Sequence, residues 1–285
     1  MAVDLRLDLL VAGSCRHLER MVRRGGAWRS IRFPSLVGVI RHPTQGVVLF
    51  DAGYSPRFFA ETKSFPYSLY RRMTPVDCGP TDTAAHQLRN LGIAPGDVSR
   101  VVLSHFHADH LGGLHDFPNA RFSASRAALD PAWRNRSAFR HVRRAFLPGH
   151  LPADFETRVD WVEDSRQCAV PGLSREFATG FDLLGDRSLV GLDVSGHVRG
   201  QLGLFAERTQ GPPTFLVADA CWTRRAFTHG ELPHPLTRLV TEVPGLYRER
   251  IGALARLAAE RPEVLLVPSH CEPSVALARG QLGSP

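Results

Sequence analysis

At 285 residues, 43% of them hydrophobic, the chain has length and apolar content for one large domain or two small ones with a sizeable core. A formal charge of +7 and an isoelectric point near 9.7 invite a nucleic-acid reading, but Lys63 is the only lysine among 35 basic residues, an arginine bias that GC-rich coding gives whatever the function. The five cysteines (Cys15, Cys78, Cys168, Cys221, Cys271) are odd in number, scattered and without a C-x-x-C pair, which argues against a disulfide framework or a zinc knuckle and makes a reducing cytoplasm the expected compartment.

The chain begins with the alternating pattern Leu5-Leu7-Leu9-Val11, a strand. Arg6 and Asp8 interrupt it and Arg16, Arg20, Arg23 and Arg24 follow, so it reads as no secretory leader. No apolar stretch approaches the roughly 20 residues of a membrane span, and no membrane partner is expected. An Arg/Gly-rich loop to Ser30 precedes strand patterns at Ile31-Phe33 and Ser35-Ile40, a turn at His42-Gly46 and the strand Val47-Phe50. Tyr54 to Asp77 has no clear period but carries Phe58, Phe59, Phe65, Tyr67, Tyr70 and Met73. This aromatic insertion, about 54–80, reads as a packed loop that also offers walls for an acyl or aromatic group. Thr81 to Leu91 has helical spacing, with Thr81 or Asp82 as N-cap and Gly92 as stop. It leads into the strand Val101-Val102-Leu103.

That strand delivers the densest chemistry in the chain: Ser104-His105-Phe106-His107-Ala108-Asp109-His110-Leu111-Gly112-Gly113. Imidazole nitrogen and carboxylate oxygen are ligands that zinc, iron and manganese accept, and alternation sends His105 and His107 to one side. Asp109 and His110, one step on, are free to serve a second ion. Arg121-Ala124 returns as a strand, and about 125–152 reads as an arginine-rich helical excursion. Between Arg121 and Arg144 lie seven arginines (121, 126, 134, 136, 140, 143, 144) against the single acid Asp130. The block suits an anionic substrate or a phosphate backbone, and equally a solvated helix face. Strand patterns follow at Phe177-Phe181, Leu189-Val194, Leu202-Ala206 and Phe215-Ala218, then helical spacing over Tyr247-Ala258 and a last strand at Val264-Val267. Two strand-rich halves, each followed by helix, support a sandwich of two sheets covered by helices.

The string His105-x-His107-x-Asp109-His110 with Leu-Gly-Gly resembles the signature of the metallo-β-lactamase-fold hydrolases. Later markers come in that family's order: His197 in Ser195-Gly196-His197, Asp219 after Phe215-Ala218, and His270 after Val264-Ser269. Upstream, Val47-Phe50 followed by Asp51-Ala52-Gly53 is similar to the family's strand-Asp-x-Gly turn. The likeness spans about residues 35 to 272, and the Asp219-Ala220-Cys221-Trp222-Thr223 segment looks most like the N-acyl-homoserine lactonase branch. The resemblance implies a single α+β domain, 1–285, with the four-layer αββα architecture.

It also implies two divalent ions, zinc first with manganese or iron as alternatives. One would lie on His105, His107 and His197, the other on Asp109, His110 and His270, with Asp219 bridging. A hydroxide shared by two such ions about 3.5–4 Å apart would attack a carbonyl, with Asp109 or Asp219 moving the proton. Asp51 would fix the tautomer of a ligand histidine from behind. Two positions depart from the pattern. Trp222 stands where the lactonases have a tyrosine, and an indole N–H donates but does not accept or titrate as a phenol does. Gln201 stands where many relatives have a histidine behind the ligands. No Gly-x-Ser-x-Gly elbow and no Gly-rich phosphate loop occurs.

The favoured function is a zinc hydrolase cleaving a lactone, ester or thioester, its partner a small molecule bound against Trp222, Phe58, Phe59, Phe65 and Tyr67. The alternatives are a phosphodiesterase or nuclease of the same fold, a mononuclear iron persulfide-type oxygenase and, from another class, a metal-dependent binding protein without turnover. Nucleic acid is not the expected partner, and a homodimer is left open.

Overall fold

Continuous apolar runs bury the central strands on both faces, and in the computed structural model of the chain, which describes residues 3–133, 137–207, 211–239 and 241–283, two sheets stack on that basis. The first contains β1 (Arg6–Leu18), β2 (Ser30–His42), β3 (Gly46–Phe50), β4 (Val76–Asp77), β5 (Val98–Val102), β6 (Arg121–Ala124) and β7 (Val159–Trp161), in the order β4-β1-β2-β3-β5-β6-β7. The second contains β8 (Gln167–Ala169), β9 (Thr179–Asp182), β10 (Leu189–Asp193), β11 (Leu202–Ala206), β12 (Thr214–Ala218) and β13 (Leu265–Pro268), in the order β13-β12-β11-β10-β9-β8.

Leu7, Leu9, Ile40, Phe50 and Val102 of the first sheet meet Leu189, Leu204, Leu216 and Val267 of the second in the central layer. The opposite faces carry helices. Val37, Val39, Leu49 and Val101 pack under Ala84, Ala85 and Leu88 of the helix Ala84–Asn90, and Phe215 and Val217 pack under Tyr247, Ile251 and Leu254 of the helix Pro244–Glu260. Helix, sheet, sheet, helix is the four-layer αββα order. Each fully buried Leu or Phe in these layers contributes on the order of 1.5–3 kcal/mol.

Where the sheets change from antiparallel to parallel pairing, their strand ends gather on one rim. β3 pairs parallel with β5, and β12 with β13, so the residues that follow β3, β5, β12 and β13 emerge together. The Asp51 amide donates to Val102 O at 2.9 Å, tying the first two ends. Gly53, at φ +70°, turns the chain away, and a Cβ there would sit 2.2 Å from that of Ala12.

Several boundaries differ from the sequence expectations. β1 continues to Leu18, through part of the expected Arg/Gly-rich loop. β2 is continuous across Pro34, which faces Ser14 just past the bulge in β1, a position where a missing N–H is tolerated. The helix expected from Thr81 starts at Ala84, because Pro80–Asp82 forms its own 3₁₀ turn, Asp82 accepts from the Gly79 amide, and Thr83 Oγ1 caps the His86 amide at 3.2 Å. The aromatic insertion contains the helices Arg57–Glu61 and Tyr67–Met73. The C-terminal helix Glu272–Leu282 went unread, since Pro273 and Gly280 break its pattern. No helix among the described residues is long and apolar enough to cross a membrane. All five cysteines are unpaired and buried.

Three arginines of the block face acids from outside it. Arg121 pairs with Asp160, Arg126 with Asp164 at 2.6 Å, and Arg144 with Glu242. Arg134 and Arg136 lie outside the described residues. Hydrogen bonds from Arg121, opposed by partial burial, and from Arg100 hold the Asp160 carboxyl down at about 2. A folded value below the unfolded one, about 3.9, means stability that is present above pH 4 and lost as pH falls through 2. Asp160→Asn is therefore expected to cost about 1 kcal/mol at pH 7, since solvent screens the half-exposed pair, and only a small part of that by about pH 2, read from urea unfolding of variant and wild type across that range.

Candidate metal centre

After β5, Phe106 turns into the outer core, which leaves His105 and His107 on the opposite side, and His107 opens the single helical turn Ala108–Leu111 that swings Asp109 and His110 inward. Gly113 closes the loop where a Cβ would lie 2.5 Å from Ala52 O. His197 comes from the β10–β11 connection, Asp219 from the end of β12 and His270 from just past the end of β13. All seven sequence candidates meet here. Ligand atoms of His105, His107, His197 and Asp219 lie within 4.8 Å of one another, and so do those of Asp109, His110 and His270.

Asp219 joins the two groups. Its Oδ2 is 3.5 Å from His197 Nε2, and its Oδ1 is 3.1 Å from His270 Nε2 and 3.6 Å from His110 Nε2. Asp109 Oδ2 approaches His270 Nε2 at 3.3 Å and His110 Nε2 at 3.5 Å. Within the first group His197 Nε2 is 3.2 Å from His107 Nδ1.

Behind the ligands stands a layer of hydrogen bonds. His110 Nδ1–H donates to Asp51 Oδ2 at 2.7 Å, which leaves Nε2 as the atom facing the centre. Asp51, fully buried, also accepts from the Ser104 amide and hydroxyl, both at 2.8 Å. His270 Nδ1–H donates to Pro34 O at 2.7 Å. The Gln201 side-chain oxygen, in the amide orientation that satisfies both groups, accepts from the Asp219 and Ala220 amides at 2.9 Å each. Asp51 (φ 62°) and Ala218 (φ 49°) hold left-handed backbone at the ends of β3 and β12, a strain of order 1–3 kcal/mol that turns the chain sharply at each ligand loop.

The electrostatics suit a cation. Burial, then the neighbouring imidazoles, push His105 well below its ordinary value, and burial with His197 pushes His107 down to about 3, so both offer free lone pairs at neutral pH. Burial also opposes charge on His110, but Asp109, Asp51 and Asp219 outweigh it and lift that imidazole to about 10. Burial works against ionised Asp219, yet His270 and His110 hold its carboxyl well below the usual range. Four buried atoms of these side chains, His105 Nε2, His110 Nε2, His197 Nδ1 and Asp219 Oδ1, have no hydrogen-bond partner among the described residues. Each such group costs about 1–3 kcal/mol, and metal ions held by the two groups would offset that cost at the atoms they bind. The His/Asp cluster fits a metal site.

The family profile of the metallo-beta-lactamase superfamily matches residues 31–180, more than half of the chain. The chain belongs to the metallo-beta-lactamase superfamily. Among curated members it is 27% identical over 282 residues to the N-acyl homoserine lactonase AttM of Rhizobium radiobacter, covering 94% of this chain and 93% of that one. Among solved structures, an N-acyl homoserine lactone hydrolase with its product N-hexanoyl-L-homoserine at the catalytic metal centre superposes with a TM-score of 0.72 at 19% identity, over 97% of both chains. AidC, a dizinc quorum-quenching lactonase, follows with a TM-score of 0.65 at 15% identity, covering 95% and 90% of the two chains. At these identities the structural likeness speaks for the fold.

The metallo-beta-lactamase scaffold treats the expected pocket residues unequally. Trp222 lies beside the centre, its ring 5.8 Å from His197 and 6.0 Å from Phe33, edge-on to both. Phe58 is a correction: it is fully buried among Tyr54, Phe59, Tyr70 and His150, and a ring with no exposed surface packs the interior instead of meeting a substrate. Phe65 is exposed and its ring partner is Phe139, so no ring contact ties it to the centre among the described residues. Phe59 and Tyr67 pack, half-buried, on the cluster that includes Ala108, and Tyr67 Oη lies 2.9 Å from His141 Nδ1. Phe33 was missed. It stacks on His270 at 4.9 Å, and nothing in Ile31-Arg32-Phe33-Pro34 distinguishes it from an ordinary strand residue.

Asp51→Asn tests the support behind His110. An amide cannot accept from both Ser104 and His110, so metal affinity is expected to fall by about 10–100-fold with the fold retained, measured by competition against a chromophoric chelator.

Proposed function

We propose that the chain is a metal-dependent hydrolase that opens a lactone, or cleaves an ester or thioester of similar shape, with two divalent ions, zinc before manganese or iron. His105, His107 and His197 hold one ion and Asp109, His110 and His270 the other, with Asp219 between them. The observation that carries this reading is the junction at Asp219, whose two oxygens approach ring nitrogens from both groups within 3.6 Å. The lactonase names of the similar proteins support the substrate class.

Ions bound there supply an activated water at neutral pH and polarise the carbonyl under attack. The chain's residues do the rest. Asp219 sets the separation of the two groups, and Gln201 holds its backbone. Asp51 keeps His110 in the tautomer that presents Nε2. Asp109, its side chain 12% exposed against 4% for Asp219, is the carboxylate suited to take the proton from the attacking water and pass it to the leaving oxygen. Trp222 shields the centre from solvent and offers at most an indole N–H, so that proton transfer falls to Asp109. A phosphodiesterase reading loses part of its support, since Arg121, Arg126 and Arg144 already face carboxylates while Arg140 and Arg143 stay exposed.

The test is a substrate panel: a homoserine lactone, an aryl ester, an acyl thioester and bis-nitrophenyl phosphate. Carboxylic substrates are expected to be cleaved far better than the phosphodiester. Trp222→Tyr is expected to raise lactone turnover by about tenfold, short of the 10²–10⁴ or so of a fully positioned acid. Preference of the wild type for the phosphodiester overturns the proposal.

A further inference from the structure

We propose that the paired helices Tyr67–Met73 and Ala138–Arg143 form a contact face for an anionic lipid surface. These helices carry the aromatic insertion and the arginine-rich excursion, and they pack on each other. The two segments expose three large apolar side chains that a water-facing surface does not need: Phe65, Met73 and Phe139, exposed to 68%, 72% and 59%. Phe65 and Phe139 meet edge to face at 5.5 Å, so the apolar surface of one continues into that of the other across the two segments.

Within the two segments the charge has one sign, with Glu61 and Glu242 at their inner borders. Residues 62–76 and 137–149 contain no Asp or Glu at all. Lys63, Arg71 and Arg72 on the first segment and Arg140 and Arg143 on the second are exposed, and Arg71 lies over the Phe59 ring at 4.8 Å. Apolar side chains flanked by cations are the composition of interfacial segments, the rings entering the acyl boundary while arginines meet the headgroups. A second copy is the poorer partner, because a two-fold contact sets these cations against themselves. Nucleic acid is poorer too, since the two phenyl rings engage each other instead of standing apart as stacking platforms.

The face is coupled to the centre. Tyr67, Val142 and Ala145 pack on the cluster containing Ala108, and Ala145 O accepts from the Ala108 amide at 3.1 Å, so the inner side of this layer adjoins the metal loop. An apolar substrate dissolved in a bilayer would meet the protein at the outer side of the same layer. Such a surface contact needs no spanning segment and is compatible with the lack of one among the described residues.

The experiment is co-sedimentation of the full chain with vesicles of phosphatidylcholine alone or mixed with phosphatidylglycerol. Binding to the mixed vesicles only, weakened by salt, is expected. Phe65→Ser with Phe139→Ser is expected to cut the partition coefficient about tenfold or more, and Arg71→Glu with Arg72→Glu to abolish binding. Thermal unfolding and turnover of a short water-soluble lactone should stay unchanged in both, which separates failure of this proposal from failure of the hydrolase reading. Equal binding to neutral vesicles, or double variants that bind as the wild type does, overturns it. So does a dimer that Phe139→Ser dissolves, or stronger retention by a single-stranded oligonucleotide than by the vesicles.

Discussion

Asp219→Asn is expected to lower kcat by more than about a hundredfold while the chain stays folded. Removing a group that merely supports a metal ligand already costs about 10–100-fold. Asp219 is more than a support: its two oxygens lie within 3.6 Å of ring nitrogens of His197, His110 and His270, so the amide removes a negative charge and one acceptor oxygen from the point where the two groups meet. The fold should survive, because the backbone of residue 219 is held by Gln201 and the preceding strand by its neighbours, neither of which uses the carboxylate. Steady-state kinetics at saturating metal, with circular dichroism as the control, checks it. An unchanged kcat removes Asp219 from the chemistry.

The second large effect is loss of metal. Treatment with a chelator is expected to abolish turnover and to lower the unfolding temperature by on the order of 10 °C, since a ligand present at a thousand times its Kd stabilises by about 4 kcal/mol and each kcal/mol is about 2–4 °C for a chain of this size. The pH dependence has a fixed sign. His110, lifted to about 10, and His270, also raised, carry protons that an incoming ion must displace. Lower pH therefore favours the proton, and the chelator concentration needed for half-inactivation should fall as pH falls. Reloading followed by elemental analysis should return two equivalents per chain. A single equivalent of iron would instead favour the oxygenase reading.

The candidate ligand loop was legible because it is local: six consecutive residues after an apolar strand carry four of the seven candidate metal-ligating side chains. His197, Asp219 and His270 are single residues at strand ends, and only the family resemblance gave them meaning beforehand. The αββα order was legible because the strand patterns fall into two sets, each closed by a helix. What sits behind the ligands was not. Pro34 contributes a carbonyl, which no side-chain pattern announces, and Gln201 acts through an amide oxygen on the backbone of another loop. The pocket was misjudged at Phe58 because aromatic content does not say which rings face inward.

The ligand set draws on both halves of the sandwich: His105, His107, Asp109 and His110 follow β5 of the first sheet, and His197, Asp219 and His270 belong to loops of the second. Contacts across it join residues 90 apart in sequence at His107–His197 and 236 apart at Pro34–His270. Neither half can form a complete chelate alone, so high metal affinity arises only after the two sheets have docked, and it disappears when either one swings open. A bound metal would thus act as a late clasp in folding, holding together two layers whose long-range pairings are expected to assemble slowly.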